Sequence, residues 1–523
     1  MAVVLVTSLA AACLSNQREA PIASDPTPPP TWTPTPKPTA TPTPARTDLD
    51  IAIYLPSEHF KSLDPLRLPP DDLGSQLLVD AIYSRLLSLD PYTGQVKPGV
   101  VAGWQITSEG RIHLQIPETI RWHDGQPITA EEIADTIRQI LDKASSSPYG
   151  IGLADVTRVT AISPTQITIE TTAPVCPTLT ALSRIPAARV NGDSIPSTMG
   201  MGPFKLKEQT DDQLVLESLT DERPIRQWRV RLMDSSSFTA TLPAADMVIL
   251  PAGKAIDPPD GWALYSWSSP EYVGVFFNVQ RPGLQSRDVR TALALSLDRQ
   301  RINELVFGGT ATSLGSTWLP GQWGIDIRPP SFTPGEARAR LDAAGLIDSD
   351  GDGWRDLDGA PWLVRIKTNG ESETRRKLAY LVAASYRAIG VQAEVEIIPY
   401  FSLIDALFRH DYDAAIFGWP IDLDPDQTRF WHSSQVQPRQ GFNLTGWQDA
   451  ETDQLLQAAL DAEGCAPEIR RDLYQKLAAR LAEQRPVDPL FALPQAMLSR
   501  SNLKGVALTP FSGAFPSAID WHW

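Results

Sequence analysis

The chain has 523 residues, 42% of them hydrophobic and 21% charged, with a formal charge of −16. Its length exceeds what one hydrophobic core organises, which predicts two or three lobes. The acidic balance works against nucleic acid or anionic lipid as partners, since phosphates are held by clustered Lys and Arg, and no segment after the N-terminus reaches the roughly 20 apolar residues of a membrane span.

Residues 1–12, MAVVLVTSLAAA, form a short apolar run that stops at Cys13. This is the pattern of an export signal cut before a lipid-modified cysteine, with Ala10 where Leu is usual, and it predicts an extracytoplasmic, lipid-anchored chain. Residues 13–47 contain a Pro/Thr-rich stretch, PTPPPTWTPTPKPTATPTP, that cannot bury a core. In polyproline geometry about 30 such residues would reach about 90 Å. An anchor followed by a spacer is a coherent pair.

From residue 48 the pattern becomes mixed. Short runs at 51–55, 111–116, 159–171, 214–219 and 228–233 predict strands. Apolar positions three to four apart predict helices over 75–87, 129–144, 287–307, 373–390 and 467–484. Thr129 and Glu132 form a capping box at the start of the second helix. Intermixed strands and helices make this an α/β protein.

The cysteines beyond Cys13, Cys176 and Cys465, lie far apart and lack CxxC spacing. No disulfide framework is implied, and two buried free thiols are expected, with a Cys176–Cys465 bridge as the alternative. Asp348, Asp350, Asp352 and Asp356 occupy positions one, three, five and nine of a calcium-type loop with Gly353 at the sixth, but Gly359 stands where a bidentate Glu would close the shell. The expectation is a modest structural calcium site or an Asp-Gly turn; no other cofactor is required. Gly-x-Ser-x-Gly, HExxH and GxxxxGK[ST] motifs are absent, so nothing points to an enzyme.

Several segments carry a resemblance in a fixed order: Leu63-Asp64-Pro65, Ile82-Tyr83-Ser84-Arg85-Leu86-Leu87, Pro98 to Trp104, and Gly110 to Ile116 leading into Ile120 to Ile133. Later come Gly200-Met201-Gly202-Pro203-Phe204, Phe276-Phe277-Asn278, Arg287 to Leu293, and Tyr412 to Pro425. Together these resemble the family 5 bacterial extracellular solute-binding proteins, which include the oligopeptide-, dipeptide- and nickel-binding components of ABC importers. The resemblance implies a bilobal periplasmic-binding-protein (Venus flytrap) fold with an extra inserted domain. The first lobe is then expected from 48–91, 193–268 and 491–523, the inserted domain from 92–192, and the second lobe from 269–490, with the linker strands as hinge.

The resemblance further implies a monomer that captures a peptide or similar small solute and delivers it to ABC permease subunits. Asp422, three residues after Trp419, stands where peptide-binding relatives pair an aspartate with the ligand's α-ammonium. Trp419, Trp431 and Trp323 are candidates for the pocket lining, with core packing as the alternative for each. Other readings of the fold are a solute sensor or peptide chaperone; a hydrolase using two carboxylates has only acidic abundance behind it.

Overall fold

The computed structural model describes residues 49–523 apart from 67–71, 108, 143–146, 148, 173, 191–198, 251–255, 440, 509–517 and 519. The export-like run, Cys13 and the Pro/Thr tether lie outside the described residues.

Two long antiparallel strands, Trp262–Phe277 and Val487–Arg500, form the spine of the fold. At one end the second of them pairs with Met247–Ile249, which leads to the parallel strand Asp50–Pro56 and on to Gln227–Met233, Gln213–Ser218 and Phe204–Gln209. At the other end the first pairs with Ala414–Pro420, followed by Leu363–Asn369 and Gln392–Ile398. One mixed sheet therefore runs through both lobes, and among the described residues these two strands carry it across. Between Ser268, which stands opposite Pro494, and Tyr272 the ladder loses register, and Pro270 within this gap cannot donate to it, so pairing is interrupted at the crossing.

The cores follow from strand alternation. On Trp262–Phe277, Val273, Val275 and Phe277 face one side and pack with Leu293, Leu378 and Tyr386 of the flanking helices. Tyr272 and Phe276 face the other and pack with Trp318, Trp323, Trp431 and Tyr474. The first lobe has its own core around Ile51, Ile53, Leu77, Phe204, Trp228 and Trp521. A separate four-stranded antiparallel sheet of Gly103–Ile106, Arg111–Gln115, Gln166–Thr171 and Val156–Ser163 buries Ile112 and Leu114 against the helix Ala130–Asp142. That helix starts as its sequence predicts: Glu132 N–H donates to Thr129 Oγ1 (3.3 Å), and Thr129 N–H donates to the Glu132 carboxylate (2.9 Å). The result is the mixed α/β, two-lobed architecture that the resemblance implies.

Three expectations need correction. Cys176 and Cys465 are not free thiols but a disulfide, with Cα atoms 5.3 Å apart and a sequence separation of 289. It joins the helix Val175–Leu182, which packs on the four-stranded sheet, to the turn Glu463–Cys465 between two helices of the second lobe. The helix predicted over 75–87 is Leu73–Ile82, capped by Asp72, whose side chain accepts from Ser75 N–H. It stops because Tyr83 turns extended and the Ile82 carbonyl accepts from Gly202 N–H (2.7 Å). Gly202 and Gly200 lie so near the helix end that a Cβ would sit 2.5 Å from Ala81 O and 2.1 Å from Ile82 O respectively, so only glycine fits either position. The predicted 287–307 helix is two, Arg287–Leu295 and Arg299–Phe307, because Asp298 caps the second by accepting from Arg301 N–H (2.9 Å).

Candidate functional site

The end of the Leu73–Ile82 helix, the glycine-bounded return at 200–204 and the 420–423 loop of the second lobe enclose a cavity of about 890 Å³. Pockets of about 300–1,000 Å³ are the usual size of a small-ligand site. Its first-lobe wall includes Tyr83, Arg85, Phe204, Arg223 and Trp228, and its second-lobe wall Pro420, Ile421, Asp422 and Leu423, with Pro270 at the strand crossing. Arg184, just beyond the helix Val175–Leu182, also reaches the cavity.

Among the described residues, five charged side chains line it: Asp80, Arg85, Arg184, Arg223 and Asp422. Asp80 accepts from Arg85, and Asp422 accepts from Arg184. Burial opposes the Arg85 charge, but Asp80 and Tyr149 outweigh it and hold its pKa above the usual value. Arg429 lies 3.9 Å from the other Asp422 oxygen and 4.5 Å from the Phe430 ring centre. Burial pulls the pKa of Arg429 down against the attraction of Asp422 and Asp426. Asp422 thus lines the cavity as the sequence suggests, yet its carboxylate already meets two guanidiniums, one of them reaching from the opposite side.

The loop that presents Asp422 is held from beneath. Gln322 donates to the Asp422 carbonyl (2.7 Å), the Trp323 indole to the Leu423 carbonyl (3.1 Å), and the Trp318 indole to the Pro425 carbonyl (3.1 Å). Arg470, 2% exposed, donates to both oxygens of Asp424 at 2.9 Å and lies 5.0 Å over the Trp323 ring. Burial and the neighbouring Asp424 push the Asp426 carboxyl up, while its oxygen accepts from Thr428 N–H (3.0 Å). The three tryptophans proposed as lining do not border the cavity. Trp323 and Trp431 are buried, Trp431 donating to Gln427 Oε1 (2.6 Å), and Trp419 packs on Phe417, Phe430 and Phe442.

Arg85, Arg184, Arg223, Tyr83 and Trp228 line the cavity without a motif of their own that marks them as site residues. Tyr83 and Arg85 stand inside a segment that carries the family resemblance, a signal that could have found them; Arg184 and Arg223 are isolated cations in ordinary contexts.

Far along the chain, Asp348, Asp350 and Asp356 bring carboxylate oxygens within 4.8 Å of one another, and Asp352 is not in that group. Each already accepts from its own loop: Asp348 from Gly351 and Gly353 N–H, Asp350 from Asp352 N–H, and Asp356 from Ser349. Gly359, at φ +82, follows Asp358 in the tight turn of the small hairpin 356–361.

Similarity searches agree with this geometry. The profile of the bacterial extracellular solute-binding proteins, family 5, matches residues 95–440. Among curated relatives, the oligopeptide-binding protein AppA of Bacillus subtilis is 25% identical over 430 residues, covering 76% of this chain and 78% of the relative. The peptide transport periplasmic protein SapA of Salmonella typhimurium is 24% identical over 499 residues, covering 85% of this chain and 88% of its own. Among solved structures, HbpA2 of Haemophilus parasuis superposes with a TM-score of 0.76 at 19% identity, covering 89% of this chain and 98% of that one. With a two-lobed fold, a cavity between the lobes and a family profile spanning two thirds of its length, the chain belongs to the family 5 bacterial extracellular solute-binding proteins.

Proposed function

We propose that this chain is the extracytoplasmic substrate-binding component of an ABC importer, holding a peptide or solute of similar size between its lobes. The observation that carries the reading is the cavity itself, bordered by both lobes and by the strand crossing at Pro270, in a chain of this family. Support comes from relatives whose names state oligopeptide binding and peptide transport. Bending at the crossing would open and close the cavity, and a ligand favours the closed form by the contacts it makes only there. Asp422 would take an amine of the ligand in exchange for Arg184. The finer placement, a monomer carried by lipid on Cys13 and docking on permease subunits, is part of the same proposal.

Thermal unfolding of the purified chain with pools of short peptides, and with oligosaccharides for comparison, tests the ligand class. A ligand at about 100 times its dissociation constant adds roughly 2.7 kcal/mol of stability. A peptide pool is expected to raise Tm; a rise with sugars alone would contradict the peptide reading.

A further inference from the structure

Among the described residues, the cavity is lined by one more arginine than carboxylates. Its two aspartates are each already taken: Asp80 by Arg85 and Asp422 by Arg184. The third guanidinium, Arg223, has no acidic partner within 4.0 Å among the described residues. Its neighbour is instead the Phe204 ring, with 5.9 Å between the guanidinium carbon and the ring centre. Its Nε is buried without a hydrogen-bond acceptor among the described residues.

The wall around it is short of acceptors in the same way. Phe204 packs against Trp228 with ring centres 4.6 Å apart, and Trp228 and Tyr83 are each 1% exposed. The Trp228 indole N–H and the Tyr83 hydroxyl also lack hydrogen-bond partners among the described residues. Burial raises the Tyr83 pKa, and Asp64 adds to the rise, so the hydroxyl keeps its proton and remains a donor. A buried donor left unmatched is costly, and a guanidinium in a half-enclosed cavity prefers a planar anion that accepts two of its N–H groups.

We infer that the ligand carries a carboxylate that docks on Arg223 against the first-lobe wall, on the Phe204–Trp228 side of the cavity. This rests on the reading of the cavity as the solute site and narrows it to acidic or zwitterionic solutes. Arg223 would set specificity by rejecting solutes whose carboxylate is blocked. Phe204 holds the guanidinium in place from one side, which leaves its terminal nitrogens for the ligand. Side-chain adjustment on binding would bring the Tyr83 and Trp228 donors into the same interaction.

The test uses the full chain, thermal unfolding and calorimetry, and four probe pools. These are peptides of two to six residues with free C-termini, the same peptides amidated, small non-peptide carboxylates such as succinate and sugar acids, and neutral oligosaccharides. The expected result is binding of a free-acid pool, with its members losing roughly 10- to 100-fold in affinity in Arg223→Gln. Amidation should cost the wild type a similar factor and the variant little. Arg223→Lys keeps the charge without the fork and should fall between the two. Equal affinity of wild type for acid and amide, or unchanged acid binding by a folded Arg223→Gln, would overturn the inference. Binding confined to neutral oligosaccharides would overturn it while leaving the cavity a solute site, and binding of no pool would overturn both readings. If Arg223→Gln does not fold, the acid-against-amide comparison on the wild type decides alone.

Discussion

Replacing Cys176 and Cys465 together by serine is expected to lower the stability of the protein by about 2–5 kcal/mol. The bond closes a loop of 289 residues, and long loops give the greatest loss of unfolded-state entropy on cross-linking. A second consequence is specific to this fold. The bond ties the helix Val175–Leu182 to the second lobe beside the cavity bordered by Arg184 and Asp422, so it limits how far the two sides can part. The variant, or the wild type under a reductant, is therefore expected to exchange ligand faster and to show a larger radius of gyration without ligand. Denaturant unfolding and small-angle scattering measure the two effects. Equal stability and equal dimensions, or two alkylatable thiols at these positions in the native oxidised protein, would contradict this account of the tether. Such a bond suits an oxidising, extracytoplasmic setting.

Replacing Asp424 by alanine is expected to cost about 3–5 kcal/mol, because it leaves the Arg470 guanidinium buried and without its carboxylate. Asp424→Asn keeps an acceptor and should cost less. The reason lies in what the pair supports: Arg470 on Trp323 and Tyr474 fixes Asp424, and through it the loop whose next turn upward presents Asp422 and Leu423 to the cavity. Ligand affinity should fall in both variants even at temperatures where they remain folded. A loss below about 1 kcal/mol in Asp424→Ala would show that the tryptophan and glutamine bonds hold the loop unaided.

Much of the fold was legible because its local signals agree with one another. The capping box at Thr129 and Glu132, the alternation over 111–116 and the uninterrupted helix 467–484 all stand where the sequence predicts them. The two spine strands carry no alternating signal, since Pro270, Pro489 and Pro494 break the alternation that marks a strand, and burial on both faces removes it. The helix breaks at Tyr83 and Ser296 are set by contacts distant in sequence or by a single cap.

The site was legible in part for a different reason. A short motif places the 419–425 loop at the cavity, but whether a tryptophan faces the ligand or anchors the backbone depends on where its indole N–H finds a carbonyl. Trp318 and Trp323 find carbonyls of the loop itself, and so serve it from behind. The pairing of Cys176 with Cys465 joins positions 289 apart in the sequence, which no spacing rule could supply.

The central claim is that the solute binds in the cavity between the lobes, and blocking that cavity tests it most directly. Thr220 lines the cavity with its side chain exposed, so Thr220→Trp fills space there without disturbing a core. Calorimetry of wild type and Thr220→Trp with the same bound solute is predicted to show at least about a tenfold loss of affinity, roughly 1.4 kcal/mol, with unfolding in the absence of ligand unchanged. Equal affinity in the two proteins would place the ligand elsewhere and contradict the account.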